Sequence, residues 1–309
     1  MNYLELLSKV EGAIFGVAIG DALGATNEFK TKEQIERVGK VTEIIGGGWL
    51  NLEPGEITDD TQMTLCVSEA MHLAYKFKHS ERKETFLDTC GYNFLKWYES
   101  NPKDVGICCS NVIGKFVRDK RRNFENWLNW AKNINNKRAS LGNGGLMRCV
   151  PCCFVKDKSW AILQSEMTHN NEVSSRCVSI YYDAFRICLF AETRLQASLE
   201  IQKLIVENKD LFEEYLDSEY SFSGHVVNSL YHALDATVRY DTFEDAILYI
   251  VNNGGDSDTI GAITGGLFGC LVGYKNLPYK FVNGLRRDVR SRLYLAARNI
   301  TDDVASEYR

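Results

Sequence analysis

Residues 12–24, GAIFGVAIGDALG, and residues 261–273, GAITGGLFGCLVG, decide how this chain folds. Gly12, Gly16, Gly20 and Gly24 recur every fourth residue, and Gly261, Gly265, Gly269 and Gly273 do the same. Four-residue spacing stacks each set on one face of an α-helix. A glycine inside a helix costs about 1 kcal/mol relative to alanine, and close approach of another backbone is the natural compensation. The two stretches therefore predict two central helices packed tightly, either on each other or on neighbours. Glycine stripes also pair helices within membranes, but these two are too short and interrupted for the run of about 20 apolar residues that a span needs.

Outward from these stretches the helical period dominates. Met63, Cys66, Val67, Ala70, Met71, Ala74 and Phe77 follow the i, i+3, i+4 rule, as do Val173, Cys177, Ile180, Tyr181, Ala184, Ile187 and Cys188. Thr242 and Asp245 form a capping pair that opens a helix through Phe243, Ala246, Ile247, Ile250 and Val251, with Gly254 and Gly255 as its stop. Val41 to Ile45 reads as a short strand, but no set of alternating segments would build a sheet around it. The expected fold class is mostly or wholly α, taken as all-α.

The chain has 309 residues, a length that suggests one large domain or two small ones, and its 36 basic residues against 41 acidic ones leave a net charge of −5. That balance argues against wholesale binding to nucleic acid or acidic lipid. The start, Met1 to Val10, lacks the basic-then-apolar order of a signal peptide, so a cytoplasmic location is expected. Ten cysteines in such a chain are expected as reduced, buried small hydrophobes, with Cys149, Cys152 and Cys153 a cluster that lacks a second pair at zinc spacing. Lys115, Arg118, Lys120, Arg121, Arg122, Lys132, Lys137 and Arg138 interleave with Trp127 and Trp130. An amphipathic helix with its tryptophans in the core is the preferred reading over a base-stacking surface. Glu192 to Glu219 is expected to be another solvated outer face.

Acidic residues gather at two distant points. Thr58-Asp59-Asp60-Thr61 precedes one amphipathic helix, and Asp256-Ser257-Asp258-Thr259 precedes the second glycine stripe. Each would serve as a helix cap, yet a cap needs one side-chain oxygen and both clusters bring two carboxylates with hydroxyls. Crowded carboxylates repel unless protonated or neutralised by a cation, and hard divalent cations take this oxygen set. A phosphatase nucleophile reading fails because a glycine-terminated helix, rather than a strand, precedes the DxD. A calcium-loop reading fails because the twelve-residue order is absent. Gly142-Asn143-Gly144-Gly145 could turn backbone N–H groups toward an anion, with Arg148 adding charge, and His169 could donate to a phosphate near the following helix.

Together these blocks resemble the ADP-ribosylglycohydrolase family, particularly its dinitrogenase-reductase-activating branch. They run from Gly12–Gly16 through Gly20–Thr26 to Glu28-Phe29, then Trp49–Gly55, Thr58–Met63, Gly142–Arg148, Thr168-His169 and Gly254–Gly261, in the family's order over nearly the whole chain. The resemblance implies a single compact orthogonal helical domain over residues 1–309, with a dinuclear Mg²⁺ or Mn²⁺ centre in a central cleft. Its ligands would be Thr58, Asp59, Asp60, Asp256, Asp258 and Thr259. Glu28 and Asp104 would join Asp59 and Asp60 as catalytic residues, Glu28 beside the metals and Asp104 against the ribose. Gly142, Asn143, Gly144, Gly145 and Met147 would bind the ADP-ribose with His169 and His225.

The implied activity is metal-dependent removal of ADP-ribose from a modified protein side chain, arginine first, with ADP-ribose as product. Serine-linked ADP-ribose, O-acetyl-ADP-ribose or another acceptor, and ADP-ribose binding without turnover, stay open beside it. The chain departs from the branch after Asp104, where Ile107-Cys108-Cys109-Ser110-Asn111 replaces a threonine- and arginine-rich turn. It departs again at His225, where the branch often carries tyrosine, and at Asn170-Asn171 after the first histidine.

Overall fold

The two glycine stripes lie on helices Tyr3–Gly24 and Ser257–Val272, which run antiparallel with the stripes face to face. A Cβ on Gly16 would sit 2.0 Å from the carbonyl oxygen of Gly265, and one on Gly20 2.0 Å from that of Gly261. The same holds at Gly12 against Gly269, at 2.2 Å. Only hydrogen fits in these gaps. Of the two expectations for these helices, the first holds: they pack on each other.

The computed structural model describes residues 1–118, 127–138, 141–215 and 222–308, with the side chains of 135–138 outside that description. In chain order the helices are α1 (Tyr3–Gly24), α2 (Lys32–Val38), α3 (Asp59–Tyr75), α4 (Arg82–Glu99), α5 (Ile107–Arg118), α6 (Trp127–Arg138), α7 (Gly144–Met147), α8 (Val150–Cys153) and α9 (Ser159–Glu166). They continue with α10 (Glu172–Phe190), α11 (Arg194–Glu207), α12 (Lys209–Phe212), α13 (Val226–Arg239), α14 (Phe243–Val251), α15 (Ser257–Val272), α16 (Tyr279–Gly284) and α17 (Arg287–Val304). No strand forms among the described residues, only two isolated bridges, Gly47 with Leu52 and Gly142 with His225.

α1 and α15 are the axis. α1 is buried continuously from Gly12 to Gly24, and α15 along all its length but the last residue. Helices with no polar face must be surrounded, and here α17 and α3 lie against α1 while α13, α14 and α10 lie against α15. Phe15 fills the seam under Tyr274 and Tyr294, with ring centroids 5.0 and 4.7 Å away. Thr242 caps α14 by accepting from the Asp245 N–H, as its sequence predicts.

Val41–Ile45 does not form the expected strand. The Asn252 side chain accepts from the Val41 N–H at 2.7 Å and donates to its carbonyl at 2.9 Å. One amide supplies what a partner strand would have supplied, so the segment stays irregular.

Trp127 is buried, its indole N–H donating to the Met167 carbonyl, and Lys115 lies 5.2 Å over the half-buried Trp130 ring. The tryptophans thus pack inward. Lys120, Arg121, Arg122 and Glu219 lie outside the described residues, as do the side chains of Lys137 and Arg138. All ten cysteines are unbridged and nine are buried. No helix among the described residues is long and apolar enough to cross a membrane.

Candidate active site

Antiparallel pairing brings the C-terminus of α1 against the N-terminus of α15. Ser257 Oγ donates to the Gly24 carbonyl at 2.8 Å, and a Cβ on Gly24 would collide with the Asp258 backbone. The turn after α1 is then locked to the turn before α15. The Phe29 N–H donates to the Gly255 carbonyl, the Gly255 N–H donates to the Lys30 carbonyl, and Asn27 Nδ2 donates to the Val251 carbonyl. Gly254 and Gly255 both take positive φ there, and Phe29 does so too, at 61°, a conformation uncommon for a bulky residue. This geometry sets the buried Glu28 over Asp256 and Asp258, with carboxylate oxygens of all three within 4.8 Å of one another.

The second acidic cluster comes up beneath them on α3. Neither Thr58, the N-cap of α3, nor Asp256, the N-cap of α15, makes a side-chain capping bond. The cap reading of these clusters therefore fails. Thr58 Oγ1 lies 3.2 Å, and Thr259 Oγ1 3.5 Å, from the same Asp60 Oδ2, joining segments about 200 residues apart. Asp60 Oδ1 is buried with no hydrogen-bond partner.

Asp21, on α1, organises this end of α3. Fully buried, it accepts from the Thr58 and Thr61 N–H groups and from both hydroxyls, Thr58 Oγ1 at 2.9 Å and Thr61 Oγ1 at 2.5 Å. No motif in the sequence marks this role. The available signal was one acidic residue inside an otherwise apolar glycine-striped helix.

Burial dominates the electrostatics. It pushes Asp59, Asp60 and Asp258 well above the usual carboxylate range, and each is pushed further by neighbouring carboxylates. Asp256 and Asp104 are raised mainly by desolvation. Glu28 rises to about 8 through burial, its hydrogen bond from Trp49 opposing the shift, and Asp21 to about 6 through burial against its four donors. Among the described residues no ion pair reaches any of these carboxylates. Negative charge without a basic partner, an orphaned carboxylate oxygen and two converging hydroxyls make an all-oxygen donor set suited to a hard divalent cation.

The glycine turn closes one side. Asn143 Nδ2 donates to Asp256 Oδ2 at 2.5 Å and to Ser229 Oγ at 2.9 Å, tying the turn to the acidic cluster. The bridge between Gly142 and His225, with the Val226 N–H donating to the Leu141 carbonyl, brings the half-buried His225 beside it. The buried His169 ring packs on the turn: a Cβ on Gly144 would lie 2.8 Å from Cε1, and one on Gly142 3.2 Å from Nε2. Cys108 and Cys109 line the same turn, their sulfurs 3.3 Å from the Cβ positions of Gly142 and Gly144 respectively. A Cβ on Gly145 would overlap Ser165 Oγ, and Met147 is buried in the core below.

Arg148 departs from expectation. It is wholly buried under the turn and not available to an anion, because Gln164, Thr168 and the Phe94 ring enclose it. Asp104 is half-buried and close enough to raise Glu28, Asp59 and Asp256. At the rim, Trp49 Nε1 donates to Glu28 Oε2 at 2.5 Å while its ring lies 5.3 Å from that of Phe29, both aromatics largely exposed.

The ADP-ribosylglycohydrolase family profile matches residues 2–309. An ADP-ribosyl-dinitrogen reductase glycohydrolase of Rhodospirillum rubrum is 30% identical, the alignment covering 92% of this chain and 95% of the relative. An ADP-ribosylarginine hydrolase of Pseudomonas putida is 30% identical, covering 90% and 74%. A solved structure described as an ADP-ribosylglycohydrolase-related protein complex superposes with a TM-score of 0.75 at 23% identity, covering 97% of this chain and 99% of that one. That likeness supports the fold.

Proposed function

Because the chain belongs to the ADP-ribosylglycohydrolase family, we propose that it is a divalent-metal-dependent hydrolase that releases ADP-ribose from an arginine side chain of a modified protein. The observation that carries this reading is the convergence of Glu28, Asp60, Asp256, Asp258 and Thr259 in one buried cluster holding an orphaned carboxylate oxygen. Thr58, Asp59, Asp60, Asp256, Asp258 and Thr259 would hold two Mg²⁺ or Mn²⁺ ions. Such ions supply charge that orients ribose hydroxyls and acidifies a water.

The chain's own groups do the remainder. Asn143, donating to Asp256, fixes that carboxylate relative to the glycine turn. Gly142, Asn143, Gly144 and Gly145 would take the diphosphate with His169 against it, and Met147 supports the turn from below. His225 stands at the edge of the same turn and would meet the ligand there. Asp104 would contact the ribose. Glu28, raised by burial and held by the Trp49 indole, would exchange a proton at the anomeric bond. Residues 1–309 act as one domain in this reading, since the site draws on helices from both ends of the chain. Arginine is the favoured acceptor because two relatives at 29% and 30% identity are named ADP-ribosylarginine hydrolases.

The test is incubation with ADP-ribosylarginine protein and Mg²⁺ or Mn²⁺, with and without chelator, beside serine-linked and O-acetyl-ADP-ribose substrates. Release from arginine that chelation abolishes is expected. Equal release after chelation overturns the metal, and release only from another linkage overturns the acceptor. Binding of ADP-ribose with no turnover of any substrate overturns the enzyme. Asp59→Ala and Asp258→Ala should remain folded by circular dichroism while losing Mn²⁺ binding by calorimetry.

A further inference from the structure

Two strained pieces of backbone stand side by side at the rim of the acidic site, and each carries an aromatic ring into solvent. Phe29 is held at φ 61°, a left-handed conformation uncommon for a bulky residue. Hydrogen bonds on either side enforce it: the Phe29 N–H donates to the Gly255 carbonyl at 2.7 Å, and the Lys30 carbonyl accepts from the Gly255 N–H at 2.9 Å. Adjacent side chains then part company. Glu28 turns inward, 5% exposed, and Phe29 turns outward, 65% exposed.

Trp49 arrives by the second device. Gly46, Gly47 and Gly48 all take positive φ, and a Cβ on Gly48 would lie 2.1 Å from the Ala25 carbonyl oxygen. Thr26 Oγ1 donates to the Gly46 carbonyl at 2.9 Å, so the loop is laid down on the turn that follows α1. Trp49 is left 53% exposed, its indole N–H donating to Glu28 Oε2 at 2.5 Å and its ring 5.3 Å from that of Phe29 at a tilt of 49°. Rings this far in water recover little transfer free energy from burial. Stability therefore does not account for the strain, and strain held beside a site points to what binds there.

The order of contacts says which part of a ligand these rings would meet. Asn143 of the glycine turn bonds Asp256, the Asp256 carboxylate adjoins Glu28, and Glu28 is bonded to Trp49, which lies against Phe29. With the diphosphate on the turn and the anomeric bond at Glu28, the rings lie beyond that bond, on the acceptor side. No ion pair engages Glu28, Asp104 or Asp256 among the described residues, and the nearby Lys30 Nζ is turned to Asn27 Oδ1 at 3.3 Å. A cation entering here meets carboxylates and ring faces without a resident rival. We propose that Phe29 and Trp49 form the acceptor seat, stacking on the planar, weakly hydrated guanidinium of an ADP-ribosylated arginine. This deepens, and rests on, the arginine reading proposed above.

Trp49→Phe would also release Glu28, so Phe29→Leu, which keeps apolar bulk and removes the ring, is the decisive variant. It should raise KM for ADP-ribosylarginine about fivefold, the scale of a partly exposed cation–π contact. With kcat and the Kd of ADP-ribose unchanged, that is the signature of lost acceptor binding. An unchanged KM overturns the seat. Equally weakened ADP-ribose binding puts the ring against the sugar or base and overturns it too. Methylguanidinium chloride, compared with sodium chloride at equal concentration, tests the seat without turnover. It should shift the Trp49 indole N–H resonance, assigned by its absence in Trp49→Phe, in the wild-type protein and several-fold less in Phe29→Leu. A wild-type protein that releases nothing from ADP-ribosylarginine defeats the function proposed above. The indole resonance then still decides the seat, and no shift overturns it.

Discussion

Asp21 shows what a single side chain controls here. It satisfies two backbone donors and two hydroxyls at the start of α3, and so sets where Thr58, Asp59 and Asp60 stand. Asparagine would keep the size but turn an N–H₂ group toward donors. Asp21→Asn should lower Mn²⁺ affinity by at least about tenfold, as loss of a group that orients ligands does, and cost about 2 kcal/mol in urea denaturation. Unchanged calorimetric affinity would remove Asp21 from this role. The paired acids at 59–60 and 256–258 were legible because their excess over capping needs shows in the sequence itself. Asp21 was not, since its significance comes from donors contributed by residues about 40 positions away. Arg148 misled for a related reason: a charge following a glycine turn reads as facing a ligand, and only packing shows that it points down.

At the scale of elements, the glycine stripes were the most readable feature, because a repeated helix cost demands a steric explanation. They predict their own perturbation. Gly16→Ala would drive a methyl to 2.0 Å from a backbone oxygen that cannot rotate away. It should destabilise by about 3 kcal/mol, at the upper end for overpacking. Gly106→Ala, at ordinary φ with nothing within 4 Å of its Cβ position, should stay within about 0.5 kcal/mol of wild type. Equal stabilities for the two variants would mean that the stripes do not meet. The misread element, Val41–Ile45, failed because an asparagine from α14's C-terminus meets its backbone needs, and side-chain substitution for a ladder leaves no periodic trace.

For the whole molecule, the acidic site is a stability liability that the proposed cation would relieve. Asp21 and Glu28 hold protons in the fold up to about 6 and 8, whereas carboxyls in an unfolded chain release them near 4. Between those values the unfolded state has fewer protons bound, so this contribution to stability falls as pH rises through the window. Without metal, the melting temperature should decrease from pH 5 to pH 8. Mn²⁺ at 100 times its pH 8 Kd should add about 2.7 kcal/mol, or about 4 °C, at pH 8, and the same concentration should add distinctly less at pH 5 where protons compete. A metal-induced rise that is the same at both pH values would show that the cation binds away from these carboxylates.

The seam between α1 and α15 also has a consequence in time. Ser257 and the Gly24 carbonyl that it binds are 233 residues apart. At about 5–20 residues per second of synthesis, a nascent chain leaves its first glycine helix without its counterpart for roughly 10–50 s. During that interval α1 offers a bare, mostly apolar face with Asp21 inside it, the kind of surface that ribosome-associated chaperones shield. On the function proposed here, a chain stopped before residue 257 would lack Asp258 and Thr259 and should be inert rather than partly active.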